Sequence, residues 1–103
     1  MEILQRTRNH IRVKVDANEV IFGISDSFAA LGYNRTQIVP LGVRTGTLQG
    51  SLGDMTTAQT QTDPGDWTWA NVDVTGDAIL TKENLYPYYR ATSDAVVLFA
   101  SLD

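Results

Sequence analysis

The sequence predicts an all-β domain: an antiparallel β-sandwich, jelly-roll or discoidin-like, of about seven to eight short strands with at most one short helical turn. Residues 10–16 alternate strictly between apolar and polar side chains. That period of two is typical of a strand with one buried face. Turn-forming residues recur between the other apolar segments, and residues 94–102 form an almost continuous apolar run. Several short strands separated by regular turns favour a sandwich or barrel.

Composition limits the classes of partner. The chain has 103 residues, a length typical of one domain, with a formal net charge of −4 and no cysteine. Negative charge repels phosphate groups, so we expect neither nucleic acid nor an anionic membrane as a partner. The lack of cysteine excludes disulfides and thiolate zinc sites. The N-terminal residues also lack the apolar segment of a signal peptide, which predicts synthesis in the cytoplasm.

The first half of the chain is predicted to hold three further strands. Residues 19–25 are mostly apolar and predict a strand. Residues 26–34 are the only helix candidate, which Gly32 would end, although a loop with one helical turn fits equally well. Two short strands are predicted at 35–41 and 43–52, the second twisted or bulged by its glycines.

The second half begins with a long polar segment. Residues 53–66 are rich in Thr and Gln and predict a loop. Strands are predicted at 67–74 and 78–81. Residues 86–92 and 94–102 predict a closing hairpin, and the last strand, apolar on both faces, is expected in the centre of a sheet or in a contact between subunits.

Residues suited to catalysis are sparse. His10 is the only histidine, so one chain cannot build a histidine-rich metal centre, and we interpret His10 as a partly exposed polar residue. Asp63, Asp66, Asp73 and Asp77 all fall in or beside predicted turns, where Asp commonly bonds the local backbone. We therefore predict that the chain is not an enzyme and that it uses no metal or cofactor.

Aromatic residues are the strongest candidates for binding. Trp67 and Trp69 are two positions apart and would share one face of a strand. Tyr86 and Tyr88 would share a face of another strand, with Arg90 continuing the row. Such residues anchor protein interfaces, and exposed rings also stack on sugars. A third interpretation is that at least one Trp and one Tyr fill the core.

Residues 1–9 are interpreted as an N-terminal arm, or as the lead-in to a strand, and residues 10–103 as the sandwich domain. The arm bears Arg6 and Arg8, and the rest of the chain is acidic. It would lie across a neighbouring subunit or fray in solvent. We expect a homo-oligomer, with a trimer as one arrangement, because a small core without disulfides gains stability from assembly.

Three segments carry a resemblance to a known class of protein. Residues 46–52, 67–72 and 86–91 resemble the discoidin-like and jelly-roll-like β-sandwich domains of tailed-phage virion proteins, in which a Trp-bearing strand pair is followed by a Pro-x-Tyr-x-Arg strand and an apolar closing strand. The chain departs from that pattern at 53–66, where those domains have a short turn.

The resemblance implies a virion structural role and a location in the virion. A separate module of this size would be a capsid cement or decoration protein that binds the major capsid protein or another virion protein. A small neck, tail or baseplate component is the near alternative, and a carbohydrate-binding module is the alternative from a different class. No catalytic residues carry over from the resemblance.

Overall fold

The computed structural model describes residues 1–53, 64–72 and 86–103. Within them, seven strands form two antiparallel sheets, one of four strands in the order β1-β2-β7-β3 and one of three in the order β5-β4-β6. The all-β class is therefore confirmed. The strands are β1 Glu2–Arg6, β2 His10–Val15, β3 Ile38–Arg44, β4 Leu48–Ser51, β5 Ala70–Asn71, β6 Tyr88–Ala91 and β7 Ala95–Ser101.

The core lies between the two sheets. In β2, the predicted alternation is confirmed, because Ile11, Val13 and Val15 are buried and the residues between them are exposed. The ring of Tyr89 from the three-stranded sheet meets that of Phe99 from the four-stranded sheet edge to face, with centroids 5.5 Å apart. Burial of a side chain as large as Phe99 contributes about 3 kcal/mol to folding. The packed faces make the structure a sandwich.

Strand β7 occupies the centre of the four-stranded sheet, between β2 and β3, as expected from its apolar character on both faces. The predicted closing hairpin is wrong, however. Strand β6 belongs to the other sheet, so residues 92–94 connect the sheets instead of turning back within one. Asp94 anchors this connection, because its carboxylate accepts the Ala17 amide at 2.9 Å and its carbonyl accepts the Thr45 hydroxyl at 2.5 Å.

The N-terminal segment forms an edge strand. Residues 2–6 are neither a free arm nor a lead-in to the next strand but a strand of their own, because β1 pairs along β2. The register shifts between Ile3 and Gln5, which leaves Leu4 as an extra residue in the edge strand. Such irregularity discourages pairing with further strands.

The strand predicted at 19–25 is wrong. Only Ile21 makes a bridge, to Tyr89, and the chain then turns at Gly23, whose φ is 69°. Helix α1, Ile24–Ala29, follows, two residues earlier than the predicted start. Its buried residues are Ile24 and Phe28, one helical turn apart, so a single apolar stripe holds this short helix on the core.

Two more predicted strands are shifted or shortened. Strand β3 runs to Arg44, past the predicted end at Leu41, and positive φ angles at Thr45 and Gly46 then turn the chain into β4. Within the strand predicted at 67–74, residues 70–71 form β5, preceded by a 3-10 turn at Pro64–Asp66, and residues 73–74 lie outside the described residues. The predicted strand at 78–81 and most of the predicted loop at 53–66 lie outside the described residues.

Candidate binding surface

The outer face of the three-stranded sheet gathers four of the predicted binding residues. Tyr88 and Arg90 point outward because the alternate residues of β6, Tyr89 and Ala91, are buried in the core. Arg90 lies opposite Gln49 of β4. Together with Trp67, Trp69 and Asn71, these outward residues form what we call the aromatic–arginine surface, made of Gln49, Trp67, Trp69, Asn71, Tyr88 and Arg90.

Local structure holds the two tryptophans on this face. The 3-10 turn at Pro64–Asp66 brings the chain to Trp67, and the indole Nε1–H of Trp69 donates to the Pro64 carbonyl at 2.9 Å. Strand β5 then pairs with β4, placing Asn71 opposite Gln49. Both indoles are half-buried. They are therefore ordered by contacts while part of each ring faces solvent.

The rings and the guanidinium are in continuous contact. The centroid of Tyr88 lies 4.7 Å from that of Trp67, which stacks on Trp69 with centroids 5.9 Å apart and an interplanar angle of 29°. The Arg90 guanidinium carbon lies 4.4 Å from the centroid of Trp69. Aromatic pairs add about 0.5–1.5 kcal/mol beyond burial, and an exposed cation–π contact adds about 0.5–1 kcal/mol. The order of contacts is Tyr88, Trp67, Trp69, Arg90.

A row of side-chain hydrogen bonds extends the surface. Arg90 Nε donates to Gln49 Oε1 at 2.8 Å, and Gln49 Nε2 donates to Asn71 Oδ1 at 3.1 Å. The two terminal nitrogens of Arg90 have no hydrogen-bond partner among the described residues. The guanidinium is thus fixed by one nitrogen and the Trp69 ring, and its paired donors remain for a carboxylate or carbonyl of a binding partner.

Gly53 makes room for the aromatic end. A Cβ atom at this position would lie 2.8 Å from Cε2 of Tyr88, and the φ of 77° also favours glycine. The Tyr88 ring therefore packs directly on backbone. No spacing rule in the sequence links Gly53 to Tyr88, because the contact depends on the fold.

Tyr86 departs from the predicted row, so the expectation that it shares a face with Tyr88 is wrong. Its ring packs over Gly50 on the inner side of the sheet and meets Tyr89 edge to face, with centroids 6.1 Å apart. The Tyr86 amide donates to the Tyr89 hydroxyl at 3.0 Å. The physical reason is Pro87, which precedes β6 and cannot donate to a strand ladder, so strand alternation begins only at Tyr88.

Tyr86 instead lines a cavity of about 350 Å³ at the edge of the core, together with Ile21, Tyr89 and Phe99. Burial raises the pKa of the Tyr89 phenol above its usual value, an effect only partly offset by the hydrogen bond from Tyr86. The charged form of this phenol is therefore disfavoured. Tyr86 and Tyr89 serve the packing between the sheets.

Arg6 and Arg8 lie elsewhere. Arg6 ends β1 in the four-stranded sheet, opposite Ile11. The Arg8 guanidinium carbon lies 5.8 Å from the ring centroid of Tyr33, which Arg35 also approaches, at 5.6 Å. The structure therefore joins four of the seven predicted site residues, places Tyr86 on the inner side and leaves Arg6 in β1 and Arg8 in the bend that follows it.

Sequence reasoning missed Gln49 and Asn71. Each is an ordinary polar residue in its own segment, and both matter only because β4 lies between β5 and β6. Their registers, Gln49 opposite Asn71 and opposite Arg90, bring the three side chains into one row. A correct prediction of strand pairing would have found them, because paired residues share a face.

The described residues offer neither a metal site nor a membrane-spanning helix. No group of three or more His, Asp or Glu side chains is placed to hold a metal ion in residues 1–53, 64–72 and 86–103. Within the same ranges, no helix has the length and apolar character needed to cross a bilayer.

Comparison of the chain with protein-family models, curated proteins and solved structures gave no match. Neither a relative nor a structural neighbour assigns a role to any residue.

Proposed function

We propose that the chain is a virion structural protein, most specifically a capsid cement or decoration protein that attaches to the capsid lattice through the aromatic–arginine surface. One observation carries the proposal: Trp67, Trp69, Tyr88 and Arg90 converge on one solvent-facing side of the sandwich. Trp, Tyr and Arg are the residue types that most often dominate the binding energy of protein interfaces.

The contacts within this surface favour binding. The two tryptophans hold each other, Tyr88 packs on Gly53, and Gln49 fixes Arg90. Side chains that are already ordered lose less conformational entropy when a partner arrives. The available donors of Arg90 beside apolar rings suit a partner that presents an acceptor next to an apolar side chain.

The chemistry of the surface also supports binding without catalysis. Its six members are aromatic, amide and guanidinium side chains, and none is a carboxylate, histidine or thiol. Proton transfer and nucleophilic attack near neutral pH mostly use the latter groups. A protein that works through contacts needs none of them.

The sequence resemblance specifies the kind of assembly. Residues 67–72 and 86–91, which supply most of the aromatic–arginine surface, are two of the three segments that resemble tailed-phage virion domains. A major capsid protein is the proposed partner, with a neck, tail or baseplate protein as the near alternative. Self-association, with a trimer as one arrangement, is proposed alongside it.

The proposal is tested by the location of the chain in infected cells. Particles of the encoding phage are purified on a density gradient, and peptides of the chain are quantified against the major capsid protein by mass spectrometry. The expected result is many copies of the chain in each particle. Recovery only in the particle-free fraction contradicts a virion role.

Carbohydrate binding is the second candidate. In its favour, the half-buried indoles of Trp67 and Trp69 lie beside the amides of Gln49 and Asn71, and rings next to amides suit a sugar. Against it, the Trp69 ring is already in contact with Trp67 and Arg90. A glycan array separates the two: a signal lost in Trp67→Ala supports sugar binding, and silence from the wild-type chain rejects it.

A further inference from the structure

The outer face of the four-stranded sheet carries a second surface, separate from the aromatic–arginine surface on the other sheet. Val97 and Phe99 of β7 point into the core, so Val96 and Leu98 point outward. The register places Lys14 and Arg44 on either side of Val96, and Arg12 and Gly42 on either side of Leu98. An apolar strip thus runs along the central strand with cations on both sides.

The strip lies in an open trough of about 600 Å³. Leu4, 46% exposed at the register shift of β1, adds an apolar wall. At Gly42 a Cβ atom would meet nothing within 4 Å, so the trough is open beside Leu98. The apolar residues here are accessible, and no chain segment among the described residues covers them.

The cations of this trough lack partners. The side chains of Arg12, Lys14 and Arg44 are exposed and form no ion pair or hydrogen bond among the described residues. Two acids face the same side: Glu2 lies opposite Lys14, and Asp94 lies near Arg44 but already accepts the Ala17 amide. The trough therefore presents excess positive charge on a chain whose net charge is −4.

We propose that this trough, called here the basic trough, binds an acidic amphipathic helix of a partner protein. Neighbouring strands are about 4.8 Å apart, so the backbones of β2 and β3, which carry the cations, lie about 10 Å from each other across β7. That separation matches the diameter of a helix with its side chains, about 10–12 Å. A helix along β7 would place its apolar stripe on Val96 and Leu98 and its acids beside Arg12, Lys14 and Arg44.

Charge complementarity and the apolar floor together select this occupant. A nucleic acid would match the cations but leave the apolar side chains of Val96, Leu98 and Leu4 against charged phosphates. A helix with acids on both sides of an apolar stripe matches both the apolar floor and the flanking cations of the trough.

The test uses a labelled 15-residue helical peptide with Leu at every third or fourth position and Glu on both sides of the Leu stripe. Fluorescence anisotropy measures its affinity for the full chain. We expect saturable binding that weakens with salt, and a loss of about tenfold or more in Arg12→Glu/Arg44→Glu. Arg6→Glu/Arg8→Glu, which makes the same charge change at two arginines that do not line the trough, is the matched control and is expected to bind as the wild type.

A charge exchange sharpens the result. The same peptide with Lys in place of Glu is expected to bind Arg12→Glu/Arg44→Glu more tightly than it binds the wild type. Circular dichroism of each variant confirms that it is folded, which is expected because the substituted side chains are exposed.

The proposal is overturned if the wild type and Arg12→Glu/Arg44→Glu bind the Glu peptide with equal affinity. It is also overturned if a peptide with Ser in place of Leu binds as tightly as the Glu peptide. Tighter binding of oligothymidylate or of phosphatidylserine vesicles than of the Glu peptide is the third contradicting outcome.

Discussion

The ring of Tyr86 lies against the backbone of Gly50, in the space that a Cβ atom at that position would occupy. This contact lets Tyr86 reach the core-facing side of the sheet and meet Tyr89. A larger residue at position 50 must displace the ring, and overpacking of this kind costs about 1–3 kcal/mol.

Gly50→Ala is therefore expected to lower the free energy of unfolding by about 1–3 kcal/mol in urea denaturation. Gly42→Ala is the matched control, since it is also a strand glycine but has open space around its Cβ position. Its effect should stay within about 0.5 kcal/mol. Equal losses in the two variants would show that Tyr86 does not occupy the described position.

Arg90 is expected to stabilise the aromatic–arginine surface. Arg90→Met keeps an unbranched apolar stem but removes the contact with Trp69 and the hydrogen bond to Gln49. The expected loss in the free energy of unfolding is about 1–2 kcal/mol, measured by urea denaturation. Arg44→Met controls for the loss of charge, because the Arg44 side chain is exposed and has no described partner. It should change the free energy of unfolding by less than about 0.5 kcal/mol. A loss no larger than that of the control contradicts the contact.

The buried phenol of Tyr89 predicts a dependence of stability on alkaline pH. Burial raises the pKa of Tyr89 in the folded chain, whereas the phenol of the unfolded chain ionises near the ordinary tyrosine pKa of 10.0. Stability from the neutral phenol is thus complete below pH 10 and is lost as the pH rises from there through the folded pKa. Urea denaturation between pH 9 and 11 should show a steeper decline for the wild type than for Tyr89→Phe. Parallel declines would contradict the shift.

The carboxylate of Asp103 predicts that the stability of the folded chain falls as the pH is lowered into the acid range. This carboxylate accepts hydrogen bonds from the Thr36 amide at 3.0 Å and the Ser101 hydroxyl at 2.8 Å, and these hold its pKa well below the ordinary aspartate value of 3.8. The stabilisation is present above that value and is lost as the pH falls towards the folded pKa.

Asp103→Asn should consequently lower the melting temperature at pH 7, and the difference from the wild type should shrink below about pH 3.8. Asp26→Asn controls for the charge change, because no hydrogen bond to the Asp26 side chain is described. A difference that is constant from pH 7 to pH 2 argues against the hydrogen-bonded carboxylate.

Local patterns predicted the elements that pack by simple alternation. Strand β2 follows its period of two, and β7 is central because both of its faces are apolar. The segment at 19–25 is also mostly apolar, which predicts a strand. Its apolar residues, however, are divided between a single bridge at Ile21 and the buried stripe of α1. Composition alone does not distinguish these arrangements.

The candidate surface was partly predictable for a similar reason. Trp, Tyr and Arg are favoured in interfaces, which predicts Trp67, Trp69, Tyr88 and Arg90 as binding residues. The fold brings these four together. The prediction that Tyr86 shares a face with Tyr88 is wrong because it assumes that strand alternation continues across Pro87, whereas β6 begins at Tyr88. Gln49, Asn71 and the basic trough depend on which strands are neighbours, and pairing between distant segments leaves no local pattern in the sequence.

The most direct test of binding through the aromatic–arginine surface is hydroxyl-radical footprinting of the free chain and of the chain bound to phage particles. Trp67 and Trp69 are the only tryptophans, and Met1, 47% exposed beside β1 of the other sheet, is an internal control. The account predicts that oxidation of both tryptophans falls several-fold in the bound fraction while oxidation of Met1 does not change. Tryptophans that are equally reactive in both fractions would contradict it.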